Sequence, residues 1–438
     1  MLTALAFSMV IVFMALIMTK RLSPITALIL VPVAFGIIGG FAGSLGPMML
    51  DGVTKLAPTG VMLMFAILYF AIMIDAGLFE PFVIRLVRIV HGDPVRIVVG
   101  TAVLALLVSL DGDGSTTYMI TTAAMLPLYK RLGIRPLVLA CVVMMSGGVM
   151  NILPWGGPTA RVASALNVDS SDIFVPLIPA MIAGAAWVLY VSYRLGVRER
   201  TRLAIVGIAL TDDRITEDSP LESATRRPNR LIINALLTSG LMIALVAGVM
   251  PLPVLFMIGF AIAMLLNYPS VEEQKTLLAT HAGNVLAVAG MIFAAGIFTG
   301  ILAGTKMVDA MADSVIAIVP AALGPYLSVV TALLSIPFTF FISNDAFYFG
   351  VLPILAKAGA AYGISAAEMG RASLIGQPVH LLSPLVPSTY LLVGLVDVAF
   401  DEHQRYTIKW AFLTAIVMLC AGLLSSAFPL VGRLGGGL

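Results

Sequence analysis

Charged side chains are scarce in this chain: Asp, Glu, Lys and Arg together make up 11% of its 438 residues. The net charge is only +2 and no basic cluster occurs, which argues against nucleic-acid binding. The two cysteines, Cys141 and Cys420, lie in apolar runs, so no disulfide framework is expected. The first apolar run is followed, not preceded, by its charges, Lys20 and Arg21, which is not the order of a cleavable signal peptide.

Apolar residues make up 60% of the chain, and the mean hydropathy is +1.05. These values predict an all-α polytopic protein embedded in the lipid bilayer, with no sizeable soluble domain. Apolar runs of 15 to 23 residues lie near 2–19, 24–42, 57–79, 174–193, 231–250, 254–268, 285–305 and 408–428, and about 17 to 25 residues are typical of membrane spans.

A further apolar run is interrupted by acidic residues and predicts a re-entrant hairpin at 96–131. In TAVLALLVSLDGDGSTTYMITTAAMLPLYKRLG, Asp111 and Asp113 separate two arms of about fifteen apolar residues, shorter than the ~20 that cross a bilayer. A charge at membrane depth costs roughly 2.5–3.5 kcal/mol, so the tip is assigned to a binding site in preference to a capped turn. The tip also contains Ser115 and Thr116, which are candidate substrate ligands.

A second hairpin is predicted at 324–357, where Ser343-Asn344-Asp345 interrupts another apolar run. Its aspartate joins the two of the first tip as a candidate ligand for a metal ion, or as a carrier of protons. Carboxylate oxygens suit hard divalent cations such as Mg²⁺ and Ca²⁺.

Two longer runs, 136–166 and 366–396, contain clusters of proline and glycine that cannot continue a helix, in NILPWGGPT and in SPLVPST. We therefore predict that both are membrane helices broken near the bilayer midplane. The helix that restarts after each break presents free N–H groups, which favour anions. Arg161, a cation inside a predicted span, has the geometry to hold a carboxylate by two hydrogen bonds. The candidate substrate ligands at the breaks are Asn151, Gly157, Thr159, Arg161, His380, Ser388 and Thr389.

The two halves of the chain read as repeats. Sliding the chain by 230 residues aligns Tyr118 with Tyr348, Gly133 with Gly363, Pro154 with Pro384 and Thr159 with Thr389. The predicted repeats are 1–193 and 231–438, joined by an arginine-rich cytoplasmic linker at 194–230. Each repeat has five spans, one of them the broken helix, and one re-entrant hairpin. This odd number of spans inverts the second repeat and predicts a secondary transporter with its site at the midplane. The free N–H groups of the restarted helices favour an anion, whereas the three aspartates beside them would repel one. This combination indicates an anion that moves together with a metal ion or with protons.

The hairpin and break sequences SLDGDGSTTYMITTAAMLPLYKRLGI, NILPWGGPTARVASAL, FISNDAFYFGVLPILAKAG and GQPVHLLSPLVPSTYLLVGL resemble the CitMHS family of citrate–divalent metal:proton symporters, over essentially the whole chain. The resemblance implies proton-driven uptake of a metal–citrate complex through the bacterial inner membrane, by an elevator-type motion in a homodimer. The divalent ion would be part of the transported complex, with no cofactor permanently bound. Relatives in this superfamily bind carboxylate with Ser-Asn-Thr tips, which carries that role to Ser115, Ser343 and Asn344. The aspartates depart from that pattern, which favours metal or proton coupling over sodium coupling.

Some other functions share part of this pattern. A metal-independent carrier of di- or tricarboxylates or other organic anions, or a sodium/proton antiporter, would share the fold. An intramembrane aspartyl protease needs Gly-x-Gly-Asp and Tyr-Asp sequences, which are not found here. The run from Gly300 to Lys306 fails the spacing of an ATP-binding loop. We therefore predict a transporter and not an enzyme.

Overall fold

The computed structural model describes residues 2–89, 92–112, 114–206, 227–318, 320 and 322–433. Asp113 and most of the predicted linker lie outside the described residues. Every regular element in these ranges is helical. The helices are α1 (Leu2–Met18), α2 (Pro24–Ile38), α3 (Leu45–Asp75), α4 (Glu80–Ile89), α5 (Pro94–Val108), α6 (Gly114–Arg131), α7 (Pro136–Met150), α8 (Gly157–Leu166), α9 (Ser170–Val206), α10 (Leu231–Val246), α11 (Leu252–Asn267), α12 (Val271–Gly304), α13 (Met307–Ile318), α14 (Leu327–Phe341), α15 (Leu352–Ala360), α16 (Ala366–Ser373), α17 (Gln377–His380), α18 (Pro387–Val396) and α19 (Phe400–Leu424).

Seven helical segments in the described part of the chain are long and apolar enough to cross a membrane: Ala42–Asp75, Pro94–Asp111, Ser170–Ile205, Pro228–Val246, Val271–Gly304, Gly324–Phe341 and Phe400–Leu424. Shorter apolar helices, among them α1, α2, α7 and α11, accompany them. The prediction of an all-α chain with many apolar helices is thus confirmed.

The structure corrects several lengths inferred from the sequence. The third predicted span, 57–79, belongs to a helix that runs from Leu45 to Asp75, and the charged first part of this helix contains an ion pair of 2.7 Å between Asp51 and Lys55, one turn apart. Helix α13 was not predicted. The first hairpin arm, with its 3-10 turn, is 18 residues long, so arm length does not by itself require re-entry.

One group of helices is built on the close pairing of two long helices, α3 and α12, with α11 and α2 packed beside them. Glycine makes this approach possible. A Cβ atom on Gly52 would lie 2.0 Å from the carbonyl oxygen of Gly296, and one on Gly300 would lie 2.3 Å from that of Met48. Neither distance is compatible with a side chain, so the two backbones touch.

A second group contains α5 to α9 and α14 to α19. Helix α7 lies at its centre and is buried from Leu137 to Met150, as expected for a helix that is apolar on all sides. Helix α8 contacts both α3 and α12, so it lies where the two groups meet. The breaks between α7 and α8, and between α17 and α18, fall inside this second group.

The order of elements from α1 to α9 recurs from α10 to α19. In each half two short helices precede a long one, which is followed by a shorter helix, a helical hairpin, an interrupted helix and a final long helix. Left-handed residues that end helices or turns recur at matching places: Gly133 and Gly363 with φ of 68° and 72°, and Asn167 and Asp397 with φ of 52° and 56°.

Substitution of Gly52 by alanine tests the contact between α3 and α12. We expect Gly52→Ala to lower the free energy of unfolding by about 1–3 kcal/mol, the usual cost of overpacking, measured by thermal unfolding of the purified protein. Gly283→Ala, on α12 where a Cβ meets nothing within 4 Å, is the control and should be neutral or stabilising. Equal melting temperatures for both variants would contradict the close approach.

Candidate functional site

The tip of the first hairpin is fitted tightly onto the first break. A 3-10 turn at Ser109–Asp111 follows α5, and Gly112 then adopts a φ of +78°. A Cβ at Gly112 would lie 2.7 Å from Cδ1 of Trp155, so glycine is needed for both conformation and space. Asp111 is buried, and Ser115 is half-buried in the first turn of α6, as is Thr116.

Side chains of the first break satisfy carbonyl groups that the interrupted helices leave without helical partners. Trp155 Nε1 donates to the carbonyl oxygen of Leu110 at 2.9 Å, which ties the break to the hairpin tip. Thr159 Oγ1 donates to the carbonyl oxygen of Ile152 at 2.9 Å, across the break itself.

The second break uses the same kind of bonds. His380 Nδ1 donates to the carbonyl oxygen of Thr339 at 2.6 Å, and Ser383 Oγ donates to that of Phe340 at 2.7 Å, both at the end of α14. Thr389 Oγ1 donates to the carbonyl oxygen of Leu381.

The donor atoms of three candidate ligands at the breaks are used within the protein. The protons of Thr159 and Thr389 are given to backbone carbonyls, and the Nδ1 proton of His380 to another. Contact of these three side chains with substrate stays a prediction. Such contact would involve polar atoms other than the donors that are already bonded to carbonyl groups.

An ion pair joins the first break to the second hairpin. Arg161 Nε donates to Asp345 Oδ1 at 2.6 Å, between side chains that are 21% and 10% exposed. A Cβ at Gly157 would lie 2.8 Å from Arg161 Nη1, so glycine leaves room for the guanidinium group. In the second tip, Ser343 Oγ accepts a hydrogen bond from the backbone N–H of Ala346 at 3.1 Å.

A cavity of about 410 Å³ lies further along α8, and neither Arg161 nor Asp345 is among its lining residues. Ala165 of α8, Pro353 of α15 and Thr299 of α12 are among the residues that line it. Arg161 lies one helical turn before Ala165 and shares its face of α8. Met291, two turns before Thr299 on α12, contacts Arg161 Nη2 through its sulfur at 4.0 Å. The volume is in the ~300–1,000 Å³ range of ligand pockets.

Gln377, which the sequence analysis missed, links the two halves at the centre of the site. This side chain is fully buried at the start of α17. Its Oε1 accepts from Asn151 Nδ2 at 2.9 Å, and its Nε2 donates to Tyr348 Oη at 2.6 Å and to Asn344 Oδ1 at 3.3 Å. The sequence did offer one signal, because Gln377 is a polar residue just before Pro378 in a largely apolar, interrupted span. A buried amide at such a position needs hydrogen-bond partners.

A second, smaller cavity of about 90 Å³ lies beside the first hairpin tip and the second break. Ser109, Gly114, Thr117, Asn151 and Ser388 are among its lining residues. A Cβ on Gly114 would be 3.6 Å from Ser388 Oγ, so the first tip adjoins the restart of α18.

Among the described residues, no group of three or more His, Cys, Asp or Glu side chains could hold a metal ion. Asp345 lies at the second tip, Asp111 lies at the first, and Asp113 is outside the described ranges.

Hairpins that meet broken helices within a bundle of membrane-length helices define a multi-pass membrane transporter. The chain belongs to the CitMHS family: the family model described as "Citrate transporter" matches residues 6–376. It is therefore a transporter of the bacterial inner (cytoplasmic) membrane and not an enzyme.

Relatives in Bacillus subtilis (strain 168) cover the chain almost completely. The chain is 61% identical to a protein named "Citrate transporter", over 97% of this chain and 99% of the relative. It is 52% identical to a "Mg(2+)/citrate complex secondary transporter", over 98% of this chain and 100% of the relative. Among solved structures, the YdaH transporter of Alcanivorax borkumensis matches with a TM-score of 0.64 at 14% identity, over 90% of both chains, which shows a shared fold.

The bridge made by Gln377 can be tested by replacing its amide with an apolar group of similar size. We expect Gln377→Met to lower the free energy of unfolding by about 1–3 kcal/mol, because buried partners such as the Asn151 amide lose a hydrogen bond. Thermal unfolding of the purified protein measures this. Gln404→Met, which removes a single hydrogen bond to the carbonyl oxygen of Leu382, is the matched control and should cost less. A loss no larger than that of the control would refute the bridge.

Proposed function

We propose that this protein is a proton-coupled secondary transporter that imports citrate as a complex with a divalent metal ion. The ion pair of Arg161 and Asp345 carries the proposal. A guanidinium and a carboxylate held 2.6 Å apart where the two halves meet form one positive and one negative group. A metal–citrate complex also has both signs of charge, a positive metal ion and negative carboxylates, so each can face the opposite charge of the ion pair. In the loaded carrier Arg161 takes a citrate carboxylate and Asp345 takes a position on the metal.

Charge favours the complex over free citrate. Citrate has about three negative charges at neutral pH on the reference carboxyl pKa scale, and a divalent cation leaves roughly one. Free citrate at this site would meet the negative charge of Asp345, which is only 10% exposed and little screened by solvent. A hard cation turns that repulsion into coordination, because carboxylate oxygens are its preferred ligands. The relative named for a Mg²⁺/citrate complex supports this choice.

The remaining predicted ligands are assigned by position. The first tip offers Asp111, Asp113, Ser115 and Thr116, the second offers Ser343 and Asn344, and the breaks offer Asn151, Gly157, Thr159, His380, Ser388 and Thr389. We assign proton transfer to the aspartates of the tips, which would let the empty or the loaded carrier cross with little net charge.

For the transport cycle we propose two inverted repeats and an elevator-type motion in a homodimer. The recurring order of helices supports the repeats. The tip-to-break hydrogen bonds support a moving unit made of both hairpins and both broken helices. Because the first tip is bonded to the middle of the interrupted 136–166 segment, a tip at membrane depth is favoured. The α3/α12 group would then be the static scaffold.

Uptake of radiolabelled citrate into proteoliposomes tests the function. We expect uptake to require Mg²⁺, Ca²⁺ or another divalent ion, to stop when a chelator is added, and to fall when a protonophore collapses an inward proton gradient. Empty liposomes are the control. Uptake that is indifferent to chelator would move the protein to metal-independent carriers of organic anions, and uptake indifferent to the gradient would remove proton coupling.

Substitutions at the ion pair test its role in transport. Asp345→Asn should abolish metal-dependent uptake while the protein still inserts, and Arg161→Lys should weaken citrate affinity by about tenfold or more, because lysine has no planar fork. Asp93→Asn breaks another arginine–carboxylate pair, with Arg200 at 2.6 Å, away from the site and serves as the matched control. Wild-type uptake by Asp345→Asn would overturn the proposed site.

A further inference from the structure

Ser109 and Thr117 of the first hairpin have buried hydroxyl groups that find no hydrogen-bond partner among the described residues. Ser109, at the end of α5, is 5% exposed, and Thr117, on α6, is 1% exposed. Neither Ser109 Oγ nor Thr117 Oγ1 bonds to another group of the described chain. Other buried serines and threonines, such as Ser146 and Thr122, instead donate to the carbonyl one turn earlier in their helix. An unpaired buried hydroxyl costs free energy, so this arrangement calls for an explanation.

Both hydroxyl-bearing residues line the smaller cavity, on opposite arms of the hairpin. Its volume of about 90 Å³ is well above the ~10–15 Å³ that one water requires. It is also well below the ~300–1,000 Å³ of pockets that enclose a whole ligand. The cavity therefore suits one functional group of a larger molecule.

The chemistry of the lining favours an oxygen acceptor. Ser109 and Thr117 can each donate a proton, and Ser388 adds a third hydroxyl. Ser388 lies in the first turn of α18, where unpaired N–H groups and the helix dipole attract negative charge. Asn151 also lines the cavity, and its Nδ2 is already bonded to Gln377 at 2.9 Å.

Asn151 also links this cavity to the ion pair. From Asn151 the hydrogen bonds run through Gln377 to Asn344, the residue next to Asp345. A continuous path of hydrogen bonds therefore connects the small cavity with the second hairpin tip.

We infer that Ser109 and Thr117 form a subsite for one carboxylate group of the transported acid. This inference rests on the proposed function. The subsite would select acids with an additional carboxylate over shorter ones, because a site built to donate hydrogen bonds rejects a ligand that leaves the donors unpaired.

The experiment measures two quantities for Ser109→Ala and Thr117→Val: the affinity of the purified full-length protein for Mg²⁺–citrate, and its melting temperature. Loss of the subsite should lower affinity about tenfold or more per hydroxyl, the range of a hydrogen bond to a charged group. The melting temperature should stay unchanged or rise, since an apolar group replaces an unpaired hydroxyl. Opposite changes in affinity and stability would not result from a purely structural role.

Thr121→Val is the matched control. Thr121 is one turn further along α6, is 0% exposed and is also unpaired, but it does not line the cavity. This variant should match the others in melting temperature and keep the wild-type affinity.

Each outcome decides the question. Unchanged affinity in Ser109→Ala and Thr117→Val would mean that the cavity holds only water, and would overturn the subsite. An equal loss in Thr121→Val would assign the effect to helix packing and overturn it too. If Na⁺ raised the wild-type affinity and Ser109→Ala removed that effect, the occupant would be a cation. A wild-type protein that does not bind Mg²⁺–citrate would overturn the proposed function itself, and the subsite with it.

Discussion

Carbonyl groups that interrupted helices leave without helical partners need other hydrogen-bond partners, and the rest of the site depends on how this need is met. Trp155 bonds to the carbonyl of Leu110, and His380 bonds to that of Thr339. In each half the break thus supplies a side chain to the hairpin of that same half. Because an unsatisfied carbonyl in a membrane costs several kcal/mol, these bonds fix the position of each tip against its break.

A different set of contacts crosses between the halves. Arg161 reaches Asp345, and Gln377 connects Asn151 with Asn344. The within-half bonds make two stable tip-and-break units, and the cross-half bonds join these units into one. The glycine contact of Gly52 with α12 separately holds the neighbouring helices together. The polar side chains of the site are thereby divided between those that hold the backbone and those with capacity left for a ligand.

Much of this architecture could be predicted from local sequence. Which polar side chains bond to one another within it could not. Proline and glycine mark the breaks because they act on their own backbone, so Pro154 and Pro158 were sufficient to find the first one. The sequence also singled out Arg161 and Asp345, but 184 residues separate them, and no local pattern encodes which carboxylate meets which cation. Gln377 was missed because a single amide in an apolar run has no periodicity to reveal it.

The division of the ion pair between the halves has a consequence for biogenesis. Domains form in the order in which the ribosome delivers them, so the segment with Arg161 leaves the ribosome well before Asp345 has been made. During that interval the guanidinium group lacks its carboxylate partner and has to stay near water or lipid headgroups. Insertion of the second half then supplies the missing charge. Assembly of the two halves is thereby coupled to neutralisation of a buried charge, which favours the correctly paired arrangement over other arrangements of the same helices.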